Sequence, residues 1–307
     1  MSDIQVLLVA GTHGNEINAA WIFDQFEENE KLIDFPGLDI QTVIGNPIAR
    51  KNGCRYLDRD LNRSFSNDLL NNSGLNNLEI DRAQWLLSKY GPAGTKPSKI
   101  VIDFHSTTAA MGSSLVIYGR RSADLALASI IQNRLGLPIY LHEGDPSQKG
   151  FLVESWPCGL VVEIGPVPQS LLSSQIIKST LLILLTSLKE IIKANSDQAI
   201  FPNKVVIHRH LKSLDFPRDR LGRIASFIHP KLQGRDWYPI KGGHPLFVDL
   251  LGKITYLDLE SFSGEVIPLF INEAAYAEKG IAMSLTKREV LDLRKEDFKQ
   301  LIELFNI

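Results

Sequence analysis

Strand-length apolar runs recur through the first two thirds of the chain, with stretches of helical period between them. Ile4–Ala10 is apolar at almost every position, the pattern of a strand buried on both faces. Residues 18–32 then set Ala19, Ala20, Ile22, Phe23 and Phe26 along one side of a helix. Leu38–Ile44 reads as a second strand, and residues 77–90 as a helix with Ile80, Ala83 and Leu86 or Leu87 inward. Residues 99–104 and 114–118 are further strands. Residues 121–135 read as a helix that stops at Gly136 and Pro138. Residues 160–164 form another strand, closed by Gly165-Pro166, and Ser170 is placed to cap a long helix to about Ala194. Strands alternating with helices predict an α/β layered domain with a largely parallel sheet.

The texture changes after a polar break at Asn195-Ser196-Asp197-Gln198 and Pro202. Short β-like runs at 205–210, 224–228, 245–250 and 265–271 are separated by turn signals such as Gly242-Gly243 and Gly264. The chain is therefore expected to divide into an α/β domain over 1–200 and a smaller β-rich domain over 201–307.

Its 307 residues are enough for two such cores, and the net charge of −2 gives no global field to draw nucleic acid or an acidic membrane. The most apolar stretch, 179–188, is bracketed by Lys178 and Lys189, so it reads as a buried helix rather than a membrane span. Met1-Ser2-Asp3-Ile4 runs straight into a strand without a basic leader, so the expected location is cytoplasmic. Cys54 and Cys158 cannot make a disulfide framework and read as reduced residues, structural or incidental.

The chemistry concentrates at strand ends. Gly11-Thr12-His13-Gly14-Asn15-Glu16 follows the first strand, and His105 closes the strand at 99–104. Two histidines and a carboxylate are a ligand set of catalytic zinc sites, which keep a position open for water. Glu163 ends the strand at 160–164. In a parallel sheet such ends open on one edge, where α/β folds bind ligands. Taken alone, His105 reads more readily as a packed core histidine, and Glu163 reads as half of a buried ion pair. The convergence of three strands is what favours a site.

A basic loop adds to this. Arg50, Lys51, Arg55, Arg59 and Arg63 fall between positions 50 and 63. Asp58 and Asp60 interrupt any nucleic-acid patch, which leaves a solvated loop or a guanidinium clamp for a carboxylate. His208 and His210 alternate onto one face of a strand, where a second metal site is less expected than packed or solvent-facing rings.

These segments appear in a recognisable order: Gly11-Thr12-His13-Gly14-Asn15-Glu16, Arg55-Tyr56-x-Asp58-x-Asp60-Leu61-Asn62-Arg63, Asp103-Phe104-His105, Glu163-Ile164-Gly165-Pro166, Asp215-Phe216-Pro217-Arg218-Asp219, Ile228-His229-Pro230 and Asn272-Glu273-Ala274-Ala275-Tyr276. The chain closely resembles the aspartoacylase/succinylglutamate desuccinylase family of zinc carboxypeptidase-like amidohydrolases, over nearly its whole length. The resemblance implies a zinc carboxypeptidase-like mixed, mostly parallel sheet with flanking helices, plus the smaller β-rich C-terminal domain shaping the active-site channel. It implies one Zn2+ per subunit on His13, Glu16 and His105, and Glu163 as general base. It implies that Arg55 polarises the scissile carbonyl, that Asn62 and Arg63 hold a substrate carboxylate, and that Tyr276 stands at the mouth of the site.

The implied substrate is a small-molecule N-acyl amino acid, foremost N-acetyl-L-aspartate, with no nucleic acid or membrane partner and a homodimer as an arrangement common in similar proteins. One departure bears on this. Relatives carry a substrate-binding tyrosine and arginine where alignment puts Gly150 and Glu154. An acidic side chain there would repel an acyl aspartate, unless Lys149 substitutes. The alternatives are a succinyl or aromatic N-acyl amino acid, a peptide C-terminus, or a zinc-binding protein without turnover.

Overall fold

In chain order the strands are β1 (Ile4–Ala10), β2 (Leu38–Ile44), β3 (Ile100–Ser106), β4 (Ser113–Tyr118), β5 (Ile139–His142), β6 (Cys158–Ile164), β7 (Lys204–Leu214), β8 (Phe227–Ile228), β9 (Pro245–Val248), β10 (Ile254–Tyr256), β11 (Ile267–Leu269) and β12 (Met283–Asp292). The longer helices are α1 (Ile17–Glu28), α2 (Leu78–Tyr90), α3 (Ser122–Leu135), α4 (Ser174–Asn195) and α5 (Lys295–Glu303). The computed structural model describes residues 3–72, 74–145, 148–196, 198–258 and 264–305, so Met1, Ser2 and Asp197, invoked above, lie outside them.

One large sheet runs β11-β12-β7-β5-β4-β6-β3-β1-β2, and a small antiparallel sheet runs β10-β9-β8. β2, β1, β3 and β6 are parallel neighbours. β4 reverses against β6, and β5 and β7 follow β4 in parallel. The sheet is thus mixed, with a parallel half whose strand ends share one edge. Period-two alternation divides β1 between two cores. Val6, Leu8 and Ala10 join one with Phe23 of α1 and Leu184 of α4. Leu7 and Val9 join the other with Ala83 and Leu86 of α2 and the buried Trp156.

Four expectations need correction. The first helix ends at Glu28, and a separate turn of 3-10 helix follows at Glu30–Ile33. Acidic side chains at that end oppose the helix dipole, and no residue of the 3-10 turn is buried. Ser170 does not cap α4; it sits at φ 60 and its N–H donates to the Asn15 carbonyl at 2.8 Å, four residues before the helix begins at Ser174. Strand β5 is new, a four-residue strand directly after Pro138. Finally, the β-rich segment is a sheet apart only in part: β8, β9 and β10 form the small sheet, while β7, β12 and β11 extend the large sheet beyond residue 200. Its own core, around Phe216, Leu232, Phe247 and Val266, packs on that extension through Met283 and Leu285 of β12. No helix among the described residues is long and apolar enough to cross a membrane.

Candidate active site

The turn after β1 is held by close backbone approach. A Cβ at Gly14 would lie 2.2 Å from the Ala49 carbonyl carbon and the Arg50 nitrogen, so only glycine lets the turn seat against the 49–55 loop. Gly14 N–H donates to the Arg55 carbonyl at 3.0 Å, and Glu16 N–H to the His13 carbonyl at 3.1 Å. His13 and Glu16 are thereby folded back over the end of β1, and β3 delivers His105 beside them.

The three side chains meet and are all buried. His13 Nδ1 lies 2.7 Å from Glu16 Oε1, and His105 Nδ1 lies 3.1 Å from Glu16 Oε2. The two Nδ1 atoms are 3.2 Å apart. The far nitrogens are engaged elsewhere: His13 Nε2 with Asp60 Oδ1 at 2.9 Å, and His105 Nε2 with Asp103 Oδ2 at 2.7 Å. Carboxylates behind the outer nitrogens would hold the protons there once a metal takes the two Nδ1 atoms, the arrangement found behind metal-bound imidazoles. Such a donor set could hold a metal ion.

Asp103 accepts in turn from Thr12 Oγ1 at 2.8 Å. Asp60 is met by Arg55 Nη2 at 3.4 Å and by Lys279 Nζ at 2.6 Å. Burial raises the Glu16 carboxyl, but the two imidazoles outweigh it and hold the group well below the usual carboxylate range. At Asp60 burial is likewise overcome by His13, Arg55 and Lys279, and the group is held low. Burial depresses His105, but Asp103 and Glu16 raise it well above the ordinary value.

Glu163 stands opposite His105 in the β3–β6 register and lines the same small cavity, about 30 Å³, as His13, Glu16 and His105. Burial pushes its carboxyl up to about 8; the nearby Glu16 and Glu273 add to this, while His105 and Arg55 oppose it. A carboxyl poised to exchange a proton near neutrality suits acid–base work. Arg55 also borders the cavity and donates from Nη1 to Glu16 Oε1 at 3.2 Å.

The remaining expected residues border it too, each with a role in the fold. Asn62 Oδ1 accepts from Leu152 N–H at 2.8 Å. Tyr276 packs on Phe270, and burial raises its phenol above the ordinary value. Arg63 lies over the Phe151 ring, 4.1 Å from its centroid. Its Nε and Nη2 both donate to Gln148 Oε1, at 2.9 and 2.7 Å.

Several participants carry no distinguishing signal in the sequence: Gln148, Phe151, Tyr118 and Lys279. Asp103 had one, since it lies two residues before His105 on the same face of β3. Glu273 anchors the segment that brings Tyr276. Its Oε2 accepts from Thr107 Oγ1 and from the Thr108 and Ala109 N–H groups, the latter two at 2.7 and 3.1 Å. Glu154 is not among the residues lining the cavity; its side chain is exposed and its Oε2 accepts from Phe151 N–H at 3.2 Å, across its own 3-10 turn. Lys149 is exposed as well. The second histidine pair does not converge: His208 packs on Trp237 while His210 faces Tyr140 and His142.

Comparison with known proteins bears directly on this geometry. Residues 2–191 match the family model of the succinylglutamate desuccinylase/aspartoacylase catalytic domain, and residues 203–288 match that of the AstE/AspA barrel-sandwich hybrid domain. The chain belongs to the succinylglutamate desuccinylase/aspartoacylase family. It is 60% identical over 306 residues, the full length of both chains, to a protein of Prochlorococcus marinus described as a probable aspartoacylase. A probable aspartoacylase of Parasynechococcus marenigrum is 52% identical over 94% of this chain and 95% of its own. Among solved structures, murine aminoacylase 3 superimposes with a TM-score of 0.85 at 30% identity, covering 95% of this chain and 98% of its own. The family hydrolyses N-acyl amino acids, and this member is an enzyme of that class, an amidohydrolase acting on linear amides.

Proposed function

We propose that the chain is a zinc-dependent amidohydrolase that cleaves N-acetyl-L-aspartate to acetate and L-aspartate. The observation carrying this reading is the buried meeting of His13, Glu16 and His105 in one cavity with Glu163. The donor set suits the ion: two imidazole nitrogens and a carboxylate are a ligand set of catalytic zinc sites, and here the two Nδ1 atoms stand 3.2 Å apart with the Glu16 oxygens 2.7 and 3.1 Å from them. The full-length relatives described as probable aspartoacylases support the choice of substrate.

A zinc ion on those ligands would act as a Lewis acid toward water and the acyl oxygen. Glu163 takes the proton from the attacking water and returns it to the departing amine. The Arg55 guanidinium faces the charge that develops on the acyl oxygen, a preorganised effect often worth several kcal/mol. Arg63, with Asn62, holds a substrate carboxylate and so orients the amide. Residues 201–307 narrow the approach, since Tyr276 and Lys279 reach the site from that part of the chain.

A second reading, an aromatic or other N-acyl amino acid as substrate, is favoured by one observation. An adjoining cavity of about 30 Å³ is lined by Tyr118, Tyr140, Phe151 and Phe270 beside Arg63, His142 and Ser284. Purified zinc-loaded protein assayed on N-acetyl-aspartate, N-succinyl-glutamate and N-acetyl-aromatic amino acids separates the two. The highest kcat/KM is expected on N-acetyl-L-aspartate. A clear preference for an aromatic substrate replaces the first reading with the second, and no hydrolysis of any member refutes both.

A further inference from the structure

Resting on that reading, we propose that Gln148 is the positioning residue of the substrate-carboxylate clamp, fixing the Arg63 guanidinium for binding. Arginine grips a carboxylate through paired N–H groups, and setting its plane beforehand cuts the entropy lost on binding. In this chain three contacts set it. Gln148 Oε1 takes both Nε and Nη2, the Asn62 carbonyl takes Nη1 at 2.7 Å, and the Phe151 ring supports one face. The glutamine oxygen is neutral, so it occupies one edge of the guanidinium and leaves its positive charge undiminished for a ligand. An acidic residue at 148 would make the same two bonds and cancel that charge.

Local backbone packing explains how Gln148 reaches Arg63. Gly150 has φ +77, and a Cβ there would lie 2.9 Å from Ser66 N and 3.0 Å from the Arg63 carbonyl oxygen. Its carbonyl accepts from Phe65 N–H at 3.1 Å, and Leu152 N–H reaches Asn62 Oδ1. The segment from 148 to 152 is thus laced tightly to residues 62–65, and a tyrosine at 150 does not fit this arrangement. The glycine at 150 and the glutamine at 148 therefore act together: the absence of a side chain at 150 admits the close approach that brings the Gln148 amide to one edge of Arg63.

The test is a double-mutant cycle on the zinc-loaded enzyme with N-acetyl-L-aspartate. Gln148→Leu is expected to raise KM about tenfold with kcat within threefold of wild type and Tm unchanged. Gln148→Glu, which keeps the reach and the acceptor, is expected to raise KM further still. In an Arg63→Ala background Gln148→Leu is expected to change KM by less than twofold, because the group it positions is gone. An unchanged or lowered KM in Gln148→Leu, or equal effects with and without Arg63, overturns the proposal. Should the wild type hydrolyse no N-acyl amino acid, the functional reading fails by itself. Calorimetric binding of L-aspartate to the same four proteins then runs the same cycle on Kd, with the same two outcomes deciding it.

Discussion

At the scale of single residues, most of the site can be read from types and spacings, because metal ligands and acid–base groups have few chemical substitutes. His13, Glu16, His105 and Glu163 stand out as polar residues at the ends of apolar strands, and all four line one cavity. What cannot be read is orientation. Glu154 looks like a substrate-repelling charge in the linear sequence, yet it lies outside the cavity lining and its Oε2 accepts from Phe151 N–H. Gln148 looks like any loop glutamine until the fold lays it on Arg63.

Two outcomes follow at this scale. Glu163→Gln is expected to bind zinc as wild type does while kcat falls by about a thousandfold or more, since it removes proton transfer and leaves the ligands intact. Elemental analysis beside steady-state kinetics checks this, and wild-type turnover would remove Glu163 from its role. Asp103→Asn loses the carboxylate behind His105 and is expected to weaken zinc binding about 10- to 100-fold, measured by competition with a chelator.

At the scale of elements, the apolar periodicity located the strands that carry the site, while capping and edge pairing escaped it. α2 begins where expected, with Asn77 Oδ1 accepting from Ile80 N–H at 3.1 Å. β5 escaped because a four-residue strand after a proline carries too little periodicity. The Gly14 turn shows how an element places chemistry. Gly14→Ala drives a Cβ into the backbone of Ala49 and Arg50, which cannot swing aside as a flexible side chain would. The cost is expected to be about 2 kcal/mol or more, read as a lowered urea midpoint, with zinc affinity falling alongside. An alanine variant with wild-type stability and zinc content would show that the turn tolerates displacement.

At the scale of the whole molecule, the sequence suggested two domains and the fold joins them through β7 and β12. Hydrophobic patterning marks strands but does not say which sheet they enter; that is decided by the open edge β5 offers. Histidines buried on this extension bear on acid stability. Burial lowers His208 to about 4, with Arg288 adding to the effect, from an ordinary value of 6.5. Between those limits the unfolded chain takes up a proton that the folded chain refuses. The associated stability is present above pH 6.5 and lost as pH falls toward about 4, amounting to at most roughly 3 kcal/mol. His208→Phe is expected to flatten the pH dependence of urea unfolding over that window. An unchanged slope would mean that the ring accepts its proton without penalty.

The central claim is that residues from two strand ends share one metal ion. Its most direct test is elemental analysis of the purified protein beside its His105→Ala variant after equal exposure to zinc and gel filtration. We expect about one zinc per wild-type chain and almost none in the variant. Full zinc retention by His105→Ala, or a wild-type chain that holds none, would contradict it.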